Sequence, residues 1–132
     1  MHSSYADIIR NARERSGRDL TPTHAVDDGD TLDLLGTPVE IFHVPGHTPG
    51  SIAILVHGVL FLGDSAASTH DGTFHANTLL ADDARQTVRS LRALAARLEP
   101  RRDEIRHLAF GHQGPLDGLA PLLAWAASTG TE

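Results

Sequence analysis

The sequence predicts an α/β domain: a mixed sheet with helices on one side. Three observations point there. Apolar runs of strand length succeed one another between Thr31 and Leu62, separated by turn residues. A run with helical periodicity extends from about Asp82 to Leu98. A short apolar strand and a second apolar helix complete the order. At 132 residues the chain is expected to form one domain, spanning 1–132.

Ser4-x-x-Asp7 resembles a capping box, and Tyr5, Ile8, Ile9 and Ala12 fall on one helical face before Ser16-Gly17 ends the pattern. A short amphipathic helix is expected there, and it makes a clean beginning for the chain. Residues 18–30 are polar, and Asp27-Asp28-Gly29-Asp30 marks a tight turn. Thr31–Leu35 reads as a short strand turned back by Gly36-Thr37-Pro38, and Val39–Val44 as a strand ended by Pro45-Gly46. Ser51–Val56 and Val59–Leu62 flank His57-Gly58, a link suited to a two-residue hairpin. Both arms are nearly continuously apolar, as expected of strands covered on both faces.

Ser65–Asn77 reads as a long loop, of a length usually associated with function. From Asp82 to Leu98, Ala84, Val88, Leu91, Leu94, Ala95 and Leu98 form an apolar helical stripe. Arg106–Phe110 reads as a strand, and Pro115 to about Ala127 as a helix carrying Leu119, Leu122, Leu123 and Trp125.

Composition narrows the chemistry. The chain has no cysteine, which removes disulfides, thiolate nucleophiles and sulfur-ligated metals. All 11 basic residues are arginine, so Schiff-base lysines and P-loop lysines are absent too. Nine histidines leave imidazole and carboxylate as the available metal ligands, a set suited to zinc, iron or manganese. The net charge of −6 argues against nucleic acid as a partner. Arg85, Arg89, Arg92 and Arg97 recur at helical spacing and read as a solvated helix face. Without a signal peptide or an apolar membrane-length run, a soluble cytoplasmic protein is expected.

Three polar residues follow apolar strands: His47 in Pro45-Gly46-His47-Thr48-Pro49-Gly50-Ser51, Asp64 after Leu60-Phe61-Leu62-Gly63, and His112 after Gly111. Strand ends on a stiff scaffold are good places for ligands, and Pro45 and Pro49 restrain the His47 loop. Taken singly, His47 also reads as a backbone-bonded loop histidine and Asp64 as a turn or capping residue. His43 reads as a structural neighbour of the site, and His70 and His75 as solvated loop residues with a lesser claim as substitute ligands. No Gly-x-Ser-x-Gly elbow surrounds Ser51 or Ser65, which removes a serine hydrolase.

In order and spacing, Asp30-Thr31-Leu32, the His47 motif, Gly63-Asp64 and Gly111-His112 resemble the C-terminal half of the metallo-β-lactamase superfamily, nearest its glyoxalase-II-like branch. The resemblance covers roughly residues 20–115. It implies half of an αββα sandwich with a dinuclear site, usually of zinc. By motif, His47 matches a ligand of the first metal, Asp64 the carboxylate bridging both metals, and His112 a ligand of the second. The family's His-x-His-x-Asp-His cluster is absent from this sequence.

The resemblance therefore implies a metal-dependent hydrolase in which a metal-bound hydroxide attacks an ester, thioester, amide or phosphodiester. The resemblance implies that His47, Asp64 and His112 hold the metals, and Ser65–Asn77 is the best candidate for shaping the small-molecule pocket. A half-sandwich leaves an apolar sheet face open. If that face measures about 800 Å², leaving it wet forgoes ~20 kcal/mol of gross burial. Three outcomes follow: a homodimer about a two-fold axis, a separate chain or upstream segment supplying the missing half, or a non-catalytic metal-binding or assembly module.

Overall fold

A computed structural model of the chain describes residues 25–128. The helix expected to open at Ser4 lies outside them. Strands β1 (Thr31–Leu34), β2 (Thr37–His43), β3 (Ile52–Val56) and β4 (Val59–Phe61) form an antiparallel meander. A small hairpin, β5 (Ala66–Ser68) and β6 (Phe74–Ala76), follows, and then helix α1 (Ala84–Leu98) and a 3-10 segment (Glu99–Glu104). Together these cross over to β7 (His107–Ala109), which pairs parallel to β4. Strand β8 (Leu116–Asp117) closes the sheet and α2 (Ala120–Ser128) ends the described chain. The resulting mixed sheet has the order β1-β2-β3-β4-β7-β8.

Turn chemistry sets the meander. His57 and Gly58 both adopt positive φ, 50° and 75°, the two-residue hairpin geometry that matches the strand twist. The first hairpin uses the same device one step earlier than expected. Leu35 and Gly36 carry the positive φ values, so Leu34 pairs with Thr37 and β2 begins there. Pro38 is tolerated because pairing with β3 starts only at Glu40, leaving no ladder bond for a proline to miss on that side.

Register assigns side chains to the two faces. On one, Leu55, Leu60, Leu108 and Leu116 form a cross-strand row, and Phe42 lies opposite Ala53. All join one buried cluster with Leu91, Leu94 and Leu98 of α1 and Leu122 of α2, so both helices cover this face. On the other face Ile41, Ile54, Phe61 and Ala109 are neighbours. There Ile52, Ile54, Val56 and Val59 are only half-buried and Phe61 is 44% exposed.

Asp83 caps α1, its carboxylate accepting from Gln86 N at 3.0 Å, so the helix starts just inside the expected boundary. The expected helix from Pro115 begins only at Ala120, because Leu116 is drawn into pairing with Leu108 and Gly118 turns with φ 69°. Ser65–Asn77 contains the β5–β6 hairpin rather than an irregular loop. Phe74 anchors it, 2% exposed, with ring centroids 5.9 Å from Phe110 and 5.3 Å from Trp125. Arg97 departs from the expected solvated face: it bonds Asp28 Oδ1 at 2.9 Å and lies over the Phe42 ring. Among the described residues no helix is long and apolar enough to cross a membrane.

Candidate metal centre

Strand direction decides where the candidate ligands fall. Strand β3 opposes both β2 and β4, and β7 runs parallel to β4. Hence β2, β4 and β7 point the same way, and the loops leaving their C-terminal ends share one edge of the sheet. His47, Asp64 and His112 sit on those loops.

Two of the three are brought together. Strands β4 and β7 are neighbours, and their pairing continues beyond the strands through Leu62 N to Ala109 O at 2.8 Å and Gly111 N to Gly63 O at 2.9 Å. That extension sets His112 Nε2 3.6 Å from Asp64 Oδ1, both side chains well exposed. Gly111 leaves room for this approach, since with a Cβ there the Asp64 carboxylate would have to swing aside. Asn77 fixes the Asp64 loop from the other side, its Nδ2 donating to Asp64 O at 2.9 Å and its N to Ser65 O at 3.0 Å.

His47 leaves a strand that is not a neighbour of that pair's strands. Strand β3 lies between β2 and β4, and two strand spacings amount to roughly 10 Å. The His47 loop is closed on itself by Val44 N to Ser51 O at 2.9 Å, Gly46 N to Thr48 O at 3.0 Å and Thr48 N to Ser51 Oγ at 3.1 Å. It is also clamped to α1. Ser90 Oγ donates to Pro45 O at 2.7 Å and Asp83 N to Gly46 O at 2.8 Å. Gly46, at φ 140°, packs so closely on Thr87 that no Cβ fits.

Within this clamp the His47 Nδ1 is buried and has no hydrogen-bond partner. A buried imidazole nitrogen left unpaired carries a desolvation cost of about 1–3 kcal/mol, so its position wants an explanation. Among the described residues no three or more His, Asp or Glu side chains form a group that could hold a metal ion. The donors fit a metal as parts, an orphaned imidazole and an imidazole–carboxylate pair on one edge, but they do not complete a site by themselves.

His43 has the structural role expected of it. Its Nε2 lies 2.8 Å from Pro49 O, bracing the His47 loop, and its N donates to Asp28 Oδ1 at 2.8 Å. His70 and His75 are exposed, His75 on the β5–β6 hairpin. Asn77, Asp83 and Ser90 were not singled out by the sequence, since each bonds a backbone carbonyl of a segment distant in order.

Comparison with known proteins gives these positions a context. No family model matches the chain. Over 63 residues it is 43% identical to a hydroxyacylglutathione hydrolase from Aeromonas hydrophila, covering 46% of this chain and 25% of that one. In fold it is similar to an archaeal metallo-β-lactamase superfamily protein from Sulfolobus tokodaii, with a TM-score of 0.59, 21% identity, and coverage of 81% of this chain and 39% of that one. A flavo di-iron protein variant from Thermotoga maritima gives a TM-score of 0.54 at 17% identity, over 93% of this chain and 35% of that one. The likeness to hydroxyacylglutathione hydrolases and to the metallo-β-lactamase fold is thus real, over partial segments. The match covers about a quarter of that curated relative's length.

Proposed function

We propose that this chain is part of a metal-dependent hydrolase of the metallo-β-lactamase kind, incomplete until a second chain completes the site. The observation that carries the reading is the common direction of β2, β4 and β7, which puts His47, Asp64 and His112 at one sheet edge. Zinc suits this donor set, and iron or manganese are compatible with it. When bound, the metal would supply Lewis acidity and lower the pKa of a coordinated water.

The chain's own contribution is placement. Asp64 and His112 present a carboxylate and an imidazole side by side, with Asn77 holding the Asp64 backbone and Gly111 leaving room for its side chain. His47 is offered from a clamped loop with one buried nitrogen awaiting a partner. A second copy about a two-fold axis is the favoured completion, because the sheet face away from the helices carries half-buried Ile52, Ile54, Val56 and Val59 and the exposed Phe61. A different chain, or further sequence beyond this segment, would serve the same purpose. The match covers only a quarter of that relative's length, which supports the need for added chain. The assembled protein would work in the cytoplasm on a small ester, thioester, amide or phosphodiester.

A second reading, a non-catalytic metal-binding or assembly module, is favoured by the lack of a three-donor group among the described residues. Metal analysis of the purified chain, paired with a generic thioester assay with and without chelator, separates the two. Bound zinc with chelator-sensitive hydrolysis supports the hydrolase. A metal-free chain that folds indifferently to chelators supports the module.

A further inference from the structure

The segment between the β5–β6 hairpin and α1 ties together the two loops that carry His47 and Asp64. At one end Asn77 bonds Ser65 O and Asp64 O. At the other, Asp82 N donates to His47 O at 3.1 Å and Asp83 N to Gly46 O at 2.8 Å. The residues between these anchors, Thr78–Ala81, therefore span from one ligand loop to the other. The span is itself a turn, Ala81 N bonding Thr78 O at 3.4 Å. It displays Leu79 at 91% and Leu80 at 76% exposure.

We infer that Leu79 and Leu80 form an apolar lip on the candidate site that selects substrates with an uncharged acyl chain. Leu34 and Leu35 are exposed too, at a hairpin turn, but Leu79 and Leu80 stand between the two candidate ligand loops, where a bound acyl chain would cover them. A protein partner is a poorer fit. A stable interface takes about 20 residues a side, and this patch is two leucines flanked by exposed Thr78, Asp82 and Asp83. The bridge also runs from β6, which packs on α1 and α2, into the first turn of α1. Both of its ends thus belong to elements packed with the helices. The carboxylates of Asp82 and Asp83 at the closing end disfavour an anionic group there. This inference rests on the proposed hydrolase site.

The test uses the full chain with methyl-labelled leucines, titrated with S-octanoyl- and S-acetyl-N-acetylcysteamine and followed by NMR. Cobalt(II) absorption is recorded in parallel as a separate readout of the metal site. The octanoyl thioester is expected to shift the Leu79 and Leu80 methyls saturably and to bind about tenfold tighter than the acetyl thioester, with the difference lost in the Leu79→Ser/Leu80→Ser variant. Equal affinity for both thioesters, or an octanoyl preference unchanged in the variant, overturns the lip. So do methyl shifts that depend on protein concentration alone, which would mean a second copy covers the leucines. Failure of cobalt binding with the octanoyl preference intact removes the metal-site reading and leaves the lip standing.

Discussion

The two faces of one sheet differ in how finished they are. Under the helices Ala53, Leu60 and Leu108 are fully buried and the packing around them is closed. Across the same strands, residues of equal hydrophobicity such as Ile52, Ile54 and Val59 are only half-covered. A sheet covered on one face alternates apolar with polar residues, and apolar residues on both faces are the mark of strands covered on both. The contrast lies along β3 and β4, since Val39 and Ile41 of β2 are buried on that same face, and it is the stretch that the proposed second copy would cover.

The largest effect is expected where the packing is closed. Leu60→Ala should cost about 2–5 kcal/mol in urea unfolding, because it removes a fully buried side chain between β3, β7 and α1. Ile54→Ala, on the facing side of β3, should cost well under half as much at low protein concentration. Equal losses would remove the contrast between the faces.

Gly46→Ala comes next, at about 1–3 kcal/mol, because it forces a Cβ against Thr87 and disfavours the φ of 140°. It should also weaken zinc binding by shifting the His47 loop off α1. A thermal melt with and without zinc reads both effects. Ile54→Asp should leave the helix-covered core folded while returning the chain to a single-chain mass in sedimentation. An assembly that survives this substitution would put the contact elsewhere.

The smallest effect concerns the ion pair that ties the 3-10 segment to β2. Arg101 donates to Glu40 and holds its carboxyl below the 4.5 usual for glutamate. A depressed folded pKa contributes stability that is present above the unfolded value and lost as the pH falls through the folded one. Glu40→Gln should therefore flatten the acid limb of the stability curve below about pH 4.5 and change it by ~0.5–1 kcal/mol at neutral pH. An unchanged acid limb would show that the pair contributes nothing to the helix-side closure.

Much of this was legible in the sequence because it is local. The His57-Gly58 turn, the apolar stripe of α1 and the strand-end placement of His47, Asp64 and His112 all follow from spacing and turn residues. The β5–β6 hairpin was not legible: its strands, Ala66–Ser68 and Phe74–Ala76, are too short to show alternation. Strand β8 was read as helix because Leu116 suits either state and only the partner Leu108 settles it. The approach of His112 to Asp64 was equally hidden, since it depends on the parallel pairing of β7 with β4.

Native mass spectrometry of the purified chain with zinc tests the central claim most directly, because mass and metal are read from one species. The expected result is a two-chain assembly carrying zinc, with the metal lost in Asp64→Ala. A single chain free of zinc at micromolar concentration would contradict the account.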